Sequence, residues 1–290
     1  MTTAKTTTAP TAPTAPVTHD GPPARFTDLI AAEWLKTWSL RSTPWLYALS
    51  ALAVVAFNAG TAYDHYKYWY QYDKGSQDFF AHHRLALLDA FTDNAALVLV
   101  LALAAIGAVS VTGEYGTGLI RTTFTAVPAR RSVMAAKAVV LAAVSTVFGV
   151  LVAAASFAST QAFLSARDAS VSLGDPGVLQ VLAASALLAP VASLAGFALG
   201  TVIRHTGTSI VACVAVLLLL PMLLSDRRHL TAVLRHTLPL SGWERLRDGA
   251  LAQGAPELYP WSEAGAWTVY ALWALVAAAV AVCAVHRRDQ

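Results

Sequence analysis

The sequence predicts an all-α, polytopic membrane protein of six transmembrane helices preceded by an amphipathic interfacial helix. Composition carries the first part of that reading. Of 290 residues, 56% are hydrophobic and 13% charged, and the mean hydropathy is +0.54, whereas a soluble domain carries about a quarter charged residues. Apolar runs supply the second observation. Runs of about 18 residues or more recur along the chain, each long enough for a helix to cross about 30 Å of hydrocarbon. Lipid offers no partner to an unpaired backbone group, so such runs are read as helices. Third, an amphipathic stretch stands immediately before the first run.

Residues 1–24 form a tail with three TAP triplets followed by Pro22 and Pro23, and almost nothing apolar to bury. This composition predicts disorder, at the cytoplasmic side. The tail lacks the positive segment and apolar core of a signal peptide, so the N-terminus is expected to be retained. Phe26, Ile30, Trp34 and Trp38 then recur at intervals of four. That spacing predicts an amphipathic helix lying in the membrane interface, with Pro44 ending it as the first span begins.

The predicted membrane domain covers residues 25–288, with spans at about 45–62, 92–111, 138–163, 178–203, 208–224 and 264–285. After the first span comes a wet stretch dense in tyrosine, tryptophan and phenylalanine, which reads as interfacial anchoring. His82, His83, Asp89 and Asp93 lie near the start of the second span. They could be imagined as metal ligands. Adjacent histidines diverge on a helix, however, so a solvated helix entrance is preferred and no metal site is expected. The fourth span contains Pro190 and the small-xxx-small pattern Gly196 to Gly200, suited to close helix packing. Pro221 meets the end of a short fifth span. Residues 225–263 are too polar to span, and Ser241 with Glu244 matches a capping box that predicts a helix start at Ser241. Leu246, Ala250 and Leu251 would give that helix an apolar side. Asn58 and Gln161 remain open as pathway-lining groups or interhelical hydrogen-bonding groups.

The net charge of +3 gives no reason to invoke nucleic acid, and Cys213 and Cys283 fall inside apolar runs as small hydrophobes. With both termini in the cytoplasm, 11 of the 20 Lys and Arg residues lie inside. Five of the other nine fall in the long 225–263 segment, where the positive-inside rule weighs them least. The expected location is therefore the plasma membrane, crossed several times, with both termini cytoplasmic.

That orientation puts residues 112–137 in the cytoplasm. Gly113, Gly116 and Gly118 suggest a bend after the second span. Ile120, Phe124 and Val127 follow at i, i+4 and i+7, the apolar face of a short helix closed by Pro128. Arg130, Arg131 and Lys137 supply positive anchors. On periodicity alone this is a capped cytoplasmic loop.

Glu114, Gly116, Thr117, Leu119, Pro128, Arg130, Arg131 and Lys137 together resemble the E-x-GT…L…P-x-R…K pattern between the second and third membrane helices of type 2 ABC-exporter permeases. Tyr115 stands where that family often has another charged residue. The amphipathic first helix and the six-span layout are similar as well. The resemblance implies a six-helix half-transporter, an exporter subunit rather than an enzyme, in which the short helix is a coupling helix. Glu114, Gly116, Thr117, Leu119, Ile120, Arg121, Phe124, Val127 and Pro128 would then meet a separate cytoplasmic P-loop ATPase, with Ile120, Phe124 and Val127 as the apolar contact face. The chain has no G-x-x-x-x-G-K-[ST], so it is expected to hold no cofactor itself; ATP and Mg belong to the partner subunit. A second permease subunit, identical or related, and the lipid bilayer complete the implied partners. Spans rich in Ala, Leu and Val suit an amphipathic or hydrophobic cargo better than an ion. An integral membrane enzyme using His82, His83, Asp89 and Asp93, or a non-transporting anchor or sensory partner, are the alternatives.

Overall fold

The computed structural model describes residues 25–225, 227–250 and 258–288, and these are almost entirely helical. Among the described residues, six helical stretches are long and apolar enough to cross a membrane: Ser42–Gln71, Ala86–Thr117, Arg130–Ser165, Val178–Ile203, Thr206–Leu223 and Glu263–Val285. The expected tail at 1–24 and the expected apolar contact of Leu251 lie outside the described residues.

Helix α1 (Phe26–Ser39) ends at Leu40, which turns into an extended conformation, and α2 (Ser42–Tyr68) starts at once. Pro44 therefore does not terminate α1. It sits in the first turn of α2, where backbone N–H groups have no intrahelical acceptor and a missing one costs nothing. α2 also runs past the expected end of the first span to Tyr68 and closes in a single tight turn, Trp69–Gln71. Tyrosine, histidine and lysine in its last turns keep helical geometry because α7 and α4 pack beside them.

The aromatic stretch then divides. α3 (Lys74–His82) and α4 (Ala86–Ala90) bring Trp69 and Phe80 into a buried cluster with Leu87, Leu164 and Val178, while Tyr63, Tyr70 and Phe79 stay exposed. Anchoring at an interface therefore accounts for only part of them. The rest form a lid over the ends of α2 and α7. Arg167 fastens it, with its guanidinium 4.2 Å from the Tyr66 ring centre and 4.5 Å from that of Tyr70.

The inner frame consists of α5 (Asp93–Thr117), α7 (Arg130–Ser165) and α8 (Val178–Ile203). The apolar window of α8 is 78% buried, against 22% for the first, fifth and sixth spans, so α8 is the central post. Its small residues decide how closely the neighbours approach. A side chain on Gly196 would collide with the Ala104 carbonyl of α5, and one on Gly107 with the Ser193 carbonyl of α8. The Gly196 to Gly200 pattern is thus used within the chain, against α5. Pro190 lies inside α8 without ending it. Proline at 190 removes the donor for the Ala186 carbonyl, and Gly149 of α7 packs its backbone against that same oxygen.

Two polar side chains also join the helices. Buried Asn58 donates to Ser156 Oγ at 2.9 Å and accepts from the Thr92 backbone N–H at 2.9 Å, linking α2, α7 and the start of α5. Gln161 donates to the Ala86 carbonyl at 3.3 Å and accepts from the Val171 N–H at 2.8 Å. Both are interhelical hydrogen-bonding groups.

The fifth span is composite. α9 (Thr206–Cys213) passes through a wider, π-type stretch at Val214–Leu219 into α10 (Leu220–Leu223). The wider turn accommodates Pro221, whose ring would otherwise press on the carbonyl four residues earlier. α11 (His229–His236) and α12 (Pro239–Gly249) follow, and α13 (Glu263–Arg288) closes the fold. The helix start expected at Ser241 is at Pro239 instead. Leu238 occupies the cap and proline the first helical position, leaving Ser241 buried inside the helix, while Glu244 pairs with Arg235 at 2.8 Å. Burial raises the Glu244 carboxyl from its ordinary value, with Arg235 opposing.

α12 is not a peripheral cover. Trp243 and Leu246 are fully buried, the Trp243 indole donates to Ser185 Oγ at 3.0 Å, and Tyr270 of α13 donates to the Ala184 carbonyl at 3.1 Å. Gly196→Leu should therefore separate α5 from α8, and a thermal unfolding series in detergent should register a loss of about 2 kcal/mol or more. Asn58→Ala should cost about 1–2 kcal/mol in the same assay, because Ser156 and the Thr92 N–H lose a partner.

Candidate docking site

At the bundle end that carries α1, one glycine makes a reversal possible. α5 does not bend at Gly113 or Gly116; it continues as helix to Thr117 and stops at Gly118, whose φ of 73° is left-handed. Gly118 also caps the next helix, α6 (Leu119–Ala126), so the chain turns without an intervening loop. Thr122 and Thr123 donate their hydroxyls to the Leu119 carbonyl at 2.8 and 3.0 Å, keeping these side chains on their own helix. α6 closes where the Val127 N–H bonds the Thr123 carbonyl at 2.9 Å, and Pro128 precedes α7. Arg130 lies over the Phe124 ring, 5.4 Å from its centre.

The face of α6 that periodicity marks as apolar turns inward. Ile120 is buried, and Phe124 and Val127 pack against Leu29 of α1 and Val133 and Ala136 of α7. Burial of this face against the chain's own helices satisfies the same amphipathic pattern that suggested an external contact. What α6 presents outward is Leu119, 45% exposed, with Arg121, Thr122, Thr125 and Ala126, followed by Pro128 and Arg131. Gly116 and Thr117 are also exposed. The outward surface is therefore polar and cationic around a single leucine.

α1 shows a related rotation. Phe26, Trp34 and Trp38 are 46%, 48% and 43% exposed, and the residues it buries are Leu29 and Glu33, with Ile30 between the two faces. The four-residue spacing of aromatics thus marks the outward side of α1. This side suits a membrane interface, where tryptophan is favoured.

Glu33 explains why α1 is seated in this way. Lys137 of α7 is buried, and its ammonium lies 2.5 Å from Glu33 Oε2 and 2.8 Å from Glu114 Oε1 of α5. Lys36 completes the set, 2.7 Å from Glu33 and 3.6 Å from Glu114. Two carboxylates and two ammonium groups thus join α1, α5 and α7. Pairing with basic residues gives Glu114 a structural function within the chain. Periodicity alone does not single out Glu33 and Lys36 as partners of this network. A glutamate one turn after Leu29, on the side away from the tryptophans, was the available signal.

The neighbouring end of α9 is tied in as well. Thr206 donates to Thr112 Oγ1 at 2.9 Å, and the Arg204 guanidinium lies 4.9 Å from the centre of the Tyr115 ring. Thr112 to Thr117 is consequently held by four other helices or their ends. Between α1, α2, α5 and α7, and bordered by Leu119 and Thr122 of α6, lies a cavity of about 640 Å³ that the four charged groups help to line.

At the opposite end of the bundle, the residues considered as metal ligands are drawn apart. Asp89 pairs with His65 at 2.6 Å, Asp93 with Arg247 at 2.6 Å, and His83 lies edge-on to Phe79. Asp89 and Asp93 also fall on different helices, separated by the extended Phe91. Among the described residues, no group of three His, Cys, Asp or Glu side chains converges to hold a metal. Cys213 is buried and Cys283 exposed, both free.

Comparison with protein-family models finds no match, and comparison with curated proteins finds none. Lys137→Met should cost about 3–5 kcal/mol in unfolding experiments, because it leaves Glu33 and Glu114 buried without their cation. Adding Glu33→Gln and Glu114→Gln to that variant should restore most of the loss.

Proposed function

We propose that this chain is the permease subunit of an ATP-driven transporter of the type 2 ABC-exporter class, with both termini cytoplasmic and its ATPase a separate chain bound at α6. The observation that carries the reading is the mounting of α6. A short helix turned out of α5 by Gly118 is packed on α1 and α7, and the Glu33–Lys137–Glu114 network ties α1, α5 and α7 together. A push on such a helix is delivered to three others at once. Close-packed interiors transmit displacement because they deform little.

The mechanism follows from this mounting. Nucleotide-driven closure of the partner would press on Leu119, Arg121 and Thr125, and the load would pass through Phe124 and Val127 to α1 and α7, and through Gly118 to α5. Phe124 and Val127 hold the helix to the bundle; the outward residues meet the partner. Glu114 acts as a brace within the permease. A second permease subunit would complete the pathway, and the cargo class that suits the Ala-, Leu- and Val-rich spans is amphipathic or hydrophobic.

Two measurements test this. Affinity capture of the full chain from mild detergent should bring down a P-loop ATPase in equal amount, and vesicles containing the complex should move cargo only with ATP. An anchor or sensory subunit would capture a partner without transport. Leu119→Asp combined with Arg121→Glu should weaken ATPase capture at least tenfold, leaving membrane insertion and the unfolding temperature unchanged. Phe124→Ala should instead lower stability by about 2 kcal/mol, less than a fully buried phenylalanine would lose. Undiminished capture by the double variant would move the docking surface elsewhere.

A further inference from the structure

The cavity between α1, α2, α5 and α7 has two chemically distinct parts. One wall is apolar, built from Leu46, Ile106, Val109, Val140 and Leu141. Leu46 and Val109 are also 44% and 38% exposed, so this wall continues onto the outside of the bundle. The other end holds Glu33, Lys36, Glu114 and Lys137.

Hydrogen-bond direction gives the polar end a definite character. Seven serine and threonine side chains line the cavity, and five of them, Thr37, Ser39, Ser110, Thr117 and Thr122, each donate the hydroxyl to a carbonyl of the same helix, at 2.7 to 2.9 Å. Their protons are committed, and their oxygens remain as acceptors. Glu114 receives Lys137 through Oε1, leaving Oε2 for a further donor. The end is thus rich in acceptors, with Lys36 as its more accessible cation, 30% exposed against 9% for Lys137.

Tyr47 is the second, independent feature. It lines the cavity, is 7% exposed, and its hydroxyl has no hydrogen-bond partner. Its ring is held between Trp38 and Phe148, with centres 6.5 and 5.2 Å away. A buried phenol hydroxyl without an acceptor is unfavourable, and an acceptor supplied by a bound molecule would relieve it.

We propose that this cavity binds one glycerophospholipid with a primary-ammonium head group, a phosphatidylethanolamine. The ammonium donates to Glu114 and the hydroxyl oxygens, and the phosphate meets Lys36. An ester carbonyl accepts from Tyr47, and an acyl chain leaves past Leu46 and Val109 into the bilayer. A trimethylated head group has no N–H to donate, and a glycerol head group offers Glu114 Oε2 only a neutral hydroxyl, a weaker donor than an ammonium. The site rests on the membrane-spanning fold and not on the transport reading.

The test uses the full chain, stripped of lipid in detergent and titrated with phosphatidylethanolamine, phosphatidylcholine or phosphatidylglycerol, with bound lipid read by native mass spectrometry. Phosphatidylethanolamine should bind about tenfold more tightly than either of the others. Tyr47→Phe should weaken it several-fold, and Val109→Trp should abolish it by filling the apolar wall. Unfolding temperatures in lipid-free detergent identify any variant that has lost its fold. Equal affinity for the ethanolamine and choline lipids, a preference for the glycerol lipid, or full binding by folded Tyr47→Phe would each overturn the proposal. So would Val109→Cys cross-linking to a second copy with no lipid retained, which would assign the cavity to an interface between chains.

Discussion

Backbone-to-backbone approach between α8 and its neighbours α5 and α7 is the constraint on which the remaining geometry depends. Lipid tails are as apolar as leucine, so helices in a membrane gain little from burying leucine alone. Association comes from close packing, and close packing needs small residues at the crossing. Gly107, Gly149 and Gly196 provide it, and each faces a carbonyl on the opposing helix. Gly149 against Ala186 is the most economical case, since Pro190 has already removed that carbonyl's intrahelical donor. Once α5 and α7 are seated on α8, their ends are close enough for Glu114 and Lys137 to meet.

The ionic network is then a consequence of the packing and a control on what surrounds it. Lys137 could not be buried without two carboxylates, and one of them comes from outside the six spans, on α1. α1 is therefore held by charge as well as by Leu29. Its tryptophans are left facing outward, and α6 is sandwiched against a fixed surface. The α1–α2 turn lines the cavity beside the network through Ser39, Leu40 and Ser42.

The opposite end is closed by different means. Trp243, Tyr270 and Phe91 pack against α8 and one another, and α12 fills the space that a sixth-span loop would otherwise leave. Arg167 and Arg247 are each held against aromatic rings and carbonyl or carboxylate oxygens. Rigid closure at this end and an open, polar mounting at the other give the molecule two unlike faces.

Hydropathy along the chain determined the number of spans and most of their centres, because crossing hydrocarbon demands a run of apolar residues whatever the neighbours are. It also marked α6 and α1 as amphipathic. The facing of those helices was decided only by tertiary structure: amphipathic spacing states that a side is apolar and not what covers it, so Ile120 and Phe124 turned inward while Trp34 and Trp38 turned out. Helix ends behaved likewise. Pro44 is tolerated because it sits in a first turn, and Gly113 and Gly116 stay within α5 although both are exposed, whereas Gly118 ends α5 in the left-handed conformation that glycine adopts most readily. The partners of Glu33 and Lys137, more than a hundred residues apart in the chain, were beyond any local pattern. Their pairing depends on three helices converging, and convergence is a property of the packed fold.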